Sequence, residues 1–286
     1  MQIKQRALVP VILGMVGLAV YAFHHLIWTN GAGAWHGAFL AAVALPTYMA
    51  LFLAKGGAAR TSSLLMPVQV VAGIGVFLAA PETGALIAAL LSFAGLQWFV
   101  FVYSRYGRTK SDAIFIGKPL PEVEFEYLDG ARVTRDDFLG APTLLVFFRG
   151  NWCPLCMAQL RELRARADQL AKANVQVRFI SNQSAEKSVA LATKLDLPPH
   201  FQILRDRNLR AADRLGIADM GGAPPGLKGY PKNTTMATVI ALDPQGRVLF
   251  GDETDNYRVR PHPNLYLPLL EQAGDATGTT KFAGAA

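Results

Sequence analysis

Cys153 and Cys156 are the only cysteines in a chain of 286 residues, and their spacing is one that supports redox chemistry. They close the stretch Leu144-Leu145-Val146-Phe147-Phe148-Arg149-Gly150-Asn151-Trp152-Cys153-Pro154-Leu155-Cys156. A run of five apolar residues is a buried-strand pattern, and proline suits the first helical turn, where its missing N–H costs nothing. Cys153 is therefore expected at a helix N-terminus, where unpaired N–H groups and the positive end of the helix dipole favour a thiolate. Cys156 lies one turn further on, within disulfide reach. On this reading Cys153 is the nucleophile and Cys156 resolves the intermediate. Arg149, Trp152 and Pro154 shape the site, and Arg149 either steadies the thiolate or reaches solvent. Three other uses of the pair weigh less. A closed zinc site needs four ligands, and no second cysteine pair exists. Two buried small residues would not call for Trp-Cys-Pro-x-Cys at a strand–helix junction. A purely structural disulfide over so short a loop removes little unfolded-state entropy.

The elements that must position this pair alternate between strand and helix patterns from Pro119 onward. Strands are expected at Val123–Leu128, up to the cysteines, at Val175–Ile180, at Phe201–Leu204, at Met236–Leu242 and at Arg247–Gly251. The last two pair across the turn Asp243-Pro244-Gln245-Gly246. Met157, Leu160, Leu163, Ala167 and Leu170 recur at helical spacing and predict one long helix to Ala173. Further helices are expected at Ser184–Leu195 with Ser184 as the cap, at Asn208–Leu215 and at Asn264–Gln272. Such alternation predicts an α/β sheet over residues 119–273. Met220 to Asn233 is rich in glycine and proline, so it is a loop, either shaping the pocket or merely connecting. The segment 274–286 is expected to be disordered.

The N-terminal part is a different material. Of 28 basic and 21 acidic residues, residues 1–104 hold only Lys4, Arg6, Lys55, Arg60 and Glu82. Four uncharged apolar segments, Ala7–Trp28, Ala34–Ala54, Ser63–Ala80 and Ala85–Ser104, are each expected to cross a bilayer, which takes about 20 residues. The predicted fold class is thus an α-helical transmembrane bundle of four spans followed by the α/β domain, joined by a juxtamembrane linker at 105–118. The basic clusters Lys4/Arg6, Lys55/Arg60 and Arg105/Arg108/Lys110 fall on alternate sides of the spans, and the loops at 29–33 and 81–84 hold no basic residue. Both termini and the redox site are therefore expected to be cytoplasmic, in a bacterial-type inner membrane. Gly14/Gly17 and Gly73/Gly75 offer small faces for helix packing, and the bundle leaves a homo-oligomer open. Among the polar groups, Gln69 and Gln97 lie within spans. His24, His25 and His36 either meet water at the headgroup boundary or serve a haem or quinone. No cofactor and no metal is expected, and no nucleic-acid motif is present.

Several stretches resemble the thioredoxin-fold redoxins: Ile116-Gly117-Lys118-Pro119 with Leu128-Asp129-Gly130, the Val146–Cys156 run, and Ile240–Val248. With Asp255-Asn256-Tyr257-Arg258-Val259-Arg260-Pro261, the chain is most similar to the peroxiredoxin-like branch of the alkyl hydroperoxide reductase and thiol-specific antioxidant superfamily. The resemblance covers about residues 115–272. It implies a thioredoxin-like fold and a membrane-anchored thiol-disulfide oxidoreductase or thiol-dependent peroxidase. Its substrate would be a peroxide or a disulfide, and a cytoplasmic thiol reductant would reset it. The chain departs from the resemblance at Gly150, where peroxiredoxins carry threonine. It departs again at Ala237, where thioredoxins carry a cis-proline, and at Phe147, where they bury an acid. Two other functions stay open: a quinone- or haem-coupled membrane oxidoreductase, and a non-enzymatic redox sensor or assembly protein.

Overall fold

Apolar helices come first: α1 (Gln2–Trp28), α2 (Ala32–Ala54), α3 (Ser62–Ala79) and α4 (Thr83–Gln97), the last continuing as a π-helical turn, Trp98–Tyr103. The computed structural model describes residues 2–28, 32–54, 62–224 and 226–282, in two compact units, Met1–Tyr106 and Gly107–Ala286. Lys55 and Arg60, part of the loop at 29–33, and the last four residues of the tail lie outside the described residues.

In the first unit three helical stretches are long and apolar enough to cross a membrane: Ala7–Trp28, Gly33–Phe52 and Thr83–Tyr103. The remaining expected span, the third, Ser63–Ala80, is shorter, with an apolar stretch of Leu65–Ala79. Fifteen residues of helix rise about 22 Å, against a hydrocarbon core of about 30 Å. Helices α2 and α3 cross with their backbones in contact, since a Cβ on Gly37 would lie 2.4 Å from the Gly75 carbonyl oxygen and one on Gly75 would lie 2.6 Å from that of Gly37. Gly14, Gly17 and Gly73 face open space and bring no helix closer. Gln69 Nε2 donates to Gln97 Oε1 at 3.0 Å and ties α3 to α4. His25 is stacked on Trp35, centroids 4.1 Å apart, with Tyr21 edge-on at 4.6 Å; His24 and His36 are exposed.

The second unit is built on strands β1 (Glu124–Glu126), β2 (Arg132–Thr134), β3 (Thr143–Phe147), β4 (Gln176–Ser181), β5 (Phe201–Arg205), β8 (Thr238–Leu242) and β9 (Val248–Asp252). A separate two-stranded ribbon pairs β6 (Ala218–Asp219) with β7 (Thr234–Thr235). The main sheet runs β2-β1-β5-β4-β3-β8-β9. β3, β4 and β5 are parallel, whereas β8 runs antiparallel beside β3 and β9 antiparallel beside β8. This mixed sheet, with helices α5 (Pro154–Arg164), α6 (Ala167–Lys172), α7 (Ala185–Leu195), α8 (Arg210–Arg214) and α9 (Leu267–Phe282), is a thioredoxin-like α/β domain. All five residues of β3 and of β8 are buried, as central strands require.

The helix expected to run unbroken to Ala173 is two helices. Arg166 leaves the helical region at φ −105°, ψ 17°, and the chain restarts as α6. The apolar spacing carries across the break, because Ala167 and Leu170 are buried like Leu160 and Leu163. Ser184 caps α7 by accepting from Lys187 N, as expected. Much of the expected connector is tied to this unit. Gly107 N and Arg108 N donate to Asp255 Oδ1, Arg108 pairs with Glu253 at 3.0 Å with both side chains buried, and Ile114 enters the core.

Candidate functional site

The two cysteines sit where β3 hands over to α5. Phe148 N still donates to Ile180 O, extending the ladder by one residue, and the chain then turns at Gly150, whose φ of +144° a side chain would strain. Cys153 N donates to Gly150 O at 3.1 Å, and Cys153 is the N-cap of α5 with Pro154 in the first turn. Both thiols are free and buried, Cys153 2% and Cys156 0% exposed.

The sulfurs interact directly, and this contact dominates their acidity. Acting as hydrogen-bond donor to its neighbour, Cys153 is pushed well above the usual thiol range, by that contact first and burial second. Cys156 is lowered to about 5 by receiving the same hydrogen bond, helped by the cations of Arg260 and Arg149 and by a backbone hydrogen bond from Arg149, against the cost of burial. A lowered thiolate was expected at Cys153, but in the resting dithiol the charge lies on Cys156. The first reason is the hydrogen bond that Cys156 accepts from Cys153, and the Arg260 guanidinium, with Nη2 3.9 Å from Cys156 Sγ, adds to it. Loss of one of the two thiol protons thus leaves a monoanion in which the remaining proton is shared by the pair, with the cations of Arg260 and Arg149 favouring the charge on Cys156.

Arg149 does not reach solvent. Its side chain is 10% exposed, Nη2 donates to the Gly222 carbonyl and lies 3.9 Å from Asp219 Oδ2, and the guanidinium stands 5.0 Å from the Trp152 ring and 5.9 Å from the Tyr257 ring. Asp219 is raised above the usual carboxylate range by burial, opposed by Arg149. Arg260 is 1% exposed, and Nη1 donates to Tyr257 O at 2.5 Å and Val259 O at 3.1 Å. Asp252 is raised by burial and pulled back first by Arg260. Each arginine thus has a carboxylate behind it.

The loop of residues 220–233 reaches the site. Besides Gly222, it sends Tyr230 Oη–H to Asn151 Oδ1 at 2.5 Å, with Lys187 Nζ 4.6 Å from the Tyr230 ring centroid. Asn182 Nδ2 donates to Asn233 O at 2.8 Å, and Asn151 N donates to Gln183 Oε1 at 2.9 Å. The structure therefore brings together all five residues singled out from the sequence, Arg149, Trp152, Cys153, Pro154 and Cys156. Sequence reasoning missed Arg260, Asp219, Asp252, Tyr230 and Gln183. Only Arg260 left a trace, in the Asp255–Pro261 stretch quoted for the family resemblance. Among the described residues no cluster of three or more metal-ligating side chains is present.

Residues 116–250 match the model of the AhpC/TSA family, so the second unit carries an AhpC/TSA family domain. Similar curated proteins are peroxiredoxin Q, chloroplastic, of Sedum lineare, 29% identical over 115 residues, and peroxiredoxin Bcp of Escherichia coli (strain K12), 32% identical over 101 residues. These alignments take in 40% and 35% of this chain and 61% and 64% of those proteins, so the chain spans less than two thirds of either relative. Among solved structures, a thiol peroxidase from Chromobacterium violaceum is 18% identical with a TM-score of 0.47, over 57% of this chain and 90% of the other.

Proposed function

We propose that the AhpC/TSA family domain of this chain is a thiol-dependent peroxidase, tethered to a membrane by the N-terminal helices, with Cys153 as nucleophile and Cys156 as resolving thiol. One observation carries the reading: two free, buried thiols one helical turn apart at the start of α5, with the Arg260 guanidinium 3.9 Å from Cys156 Sγ. The family match supports the chemistry, and the burial of both sulfurs favours a small hydroperoxide over a bulky protein disulfide. Cys153 is the attacking sulfur because it caps α5, facing the unpaired N–H groups of the first turn, while Cys156 lies beneath Arg260.

The Cys153 thiolate attacks one peroxide oxygen, the S–O bond forms as the O–O bond breaks, and the departing oxygen leaves as an alcohol or water after taking a proton. The shared proton reaches Cys156 as Cys153 becomes the anion, so no group outside the pair need supply the switch. Cys156 gives its proton to the departing oxygen and so becomes the thiolate, attacks the sulfenic sulfur as the S–O bond breaks, and the hydroxide released takes a proton from solvent as the S–S bond forms. Two electrons have passed from the dithiol to the peroxide. Because the pair spans one helical turn, the disulfide closes without bringing in a distant segment. A thiol reductant must then attack the Cys153–Cys156 disulfide, since these 286 residues hold no third cysteine.

Three apolar helices support the tether, and the basic residues beside them support cytoplasmic termini. The reading is tested by incubating the reduced full chain with hydrogen peroxide, a lipid hydroperoxide and a protein disulfide. Either peroxide should oxidise the pair faster than the protein disulfide does. Preference for the disulfide would make the domain a disulfide reductase. A reporter after Ala286 tests the side of the membrane, and activity on the outer side would overturn the cytoplasmic assignment.

A further inference from the structure

The indole N–H of Trp152 has no partner among the described residues, although its nitrogen is shut off from solvent. Buried donors without acceptors are uncommon because they forfeit their bonds to water. Acceptors elsewhere in the site already have donors. Asn151 Oδ1 accepts from Tyr230, Gln183 Oε1 accepts from Asn151 N, and the Gly222 carbonyl accepts from Arg149. The indole is also deliberately accommodated. A Cβ on residue 150 would lie 2.5 Å from Trp152 Nε1 and 2.8 Å from Cδ1, so only glycine leaves the ring its place, and the +144° φ of Gly150 independently asks for glycine. The Arg149 guanidinium stands over the same ring, 5.0 Å from its centroid. The next residue in the chain is Cys153.

We infer that Trp152 Nε1–H is a substrate-binding group that donates a hydrogen bond to a peroxide oxygen at the dithiol, with Gly150 as the residue that makes room for it. This rests on the peroxidase reading and adds a basis for specificity. A hydroperoxide brings two oxygen acceptors, whereas a disulfide brings only sulfur, a weak acceptor. The donor therefore gains its partner with a peroxide and stays unsatisfied with a disulfide.

The test uses the reduced full chain in detergent, with hydrogen peroxide as probe and iodoacetamide alkylation as a measure of thiolate reactivity. Trp152 is replaced by phenylalanine and, site-specifically, by benzothienylalanine, which keeps the shape of indole but has sulfur in place of the N–H. Loss of one hydrogen bond should slow oxidation by hydrogen peroxide about tenfold in both variants while alkylation stays within about twofold of wild type. Gly150→Ala, which pushes the indole aside, should produce the same split. If the benzothienylalanine protein keeps the wild-type rate with hydrogen peroxide, or loses peroxide and alkylation rates alike, the inference is overturned. If the wild type itself reacts with hydrogen peroxide no faster than free cysteine, the peroxidase reading fails instead, a result visible before any variant is made.

Discussion

The two arginines at the dithiol are held in contrasting ways. Arg149 comes from the β3–α5 junction and is secured by a distant loop, through the Gly222 carbonyl and Asp219 on the ribbon, while Trp152 and Tyr257 lie against its guanidinium. Arg260 is fixed largely by carbonyls of its own segment, Tyr257 and Val259, and is sealed from solvent. The first arrangement depends on a loop that can part from the site, and the second on a short stretch of backbone that cannot let go without unravelling locally. The contrast separates two tasks. On the proposed function, Arg260 adds to the Cys153 hydrogen bond in setting the charge on Cys156, and the Arg149 side, with Trp152 and Tyr230, admits the substrate.

The sharpest way to break this division is to remove each cation. Arg260→Met should have the largest effect, raising the midpoint for forming the monoanion from about 5 by one to two units, since an opposite charge at this range shifts a pKa by about 1–3. Alkylation rate against pH measures it, and an unmoved midpoint would remove Arg260 from its assigned task. In the wild type the same profile should be flat from neutral pH downward and fall as the pH drops through about 5, because a lowered thiol pKa keeps the anion present above that value and loses it below. Asp219→Asn should act less and in the opposite direction. It removes the negative charge that offsets Arg149, so the midpoint should fall by less than about one unit. The smallest effect belongs to Tyr230→Phe, which deletes only the bond to Asn151 Oδ1. About 1 kcal/mol of loop anchoring should go, seen as faster amide exchange over residues 220–233 with the thiol midpoint unchanged. A shifted midpoint in that variant would mean that loop and thiol acidity are one system rather than two.

What the sequence made legible follows the distance over which each feature is decided. The Cys153-Pro154-Leu155-Cys156 turn could be read because an apolar strand, a glycine turn and a proline at the first helical position are all local signals. Arg260 and Asp219 could not be placed, because nothing near them in the chain shows that the fold carries them more than 60 residues back to the cysteines. The break at Arg166 was hidden for a related reason: the buried positions keep helical spacing across it, and only the backbone angles reveal the restart. The third apolar segment falls short of a full span among the described residues because its apolar stretch, Leu65–Ala79, begins only after a serine-bearing start. The charge on the pair could not be read because helix-end electrostatics favour Cys153, while the hydrogen bond between the two sulfurs, aided by a guanidinium from the C-terminal segment, favours Cys156.

The division of labour between the two sulfurs is most directly tested by trapping. Reduced wild type, Cys156→Ser and Cys153→Ser proteins are each given one equivalent of hydrogen peroxide together with a sulfenic-acid reagent, and the peptides are mapped by mass. Wild type should yield the Cys153–Cys156 disulfide, Cys156→Ser should carry the reagent on Cys153, and Cys153→Ser should react no faster than free cysteine. Rapid labelling of Cys156 in the Cys153→Ser protein would contradict the account and make the sulfur beside Arg260 the nucleophile.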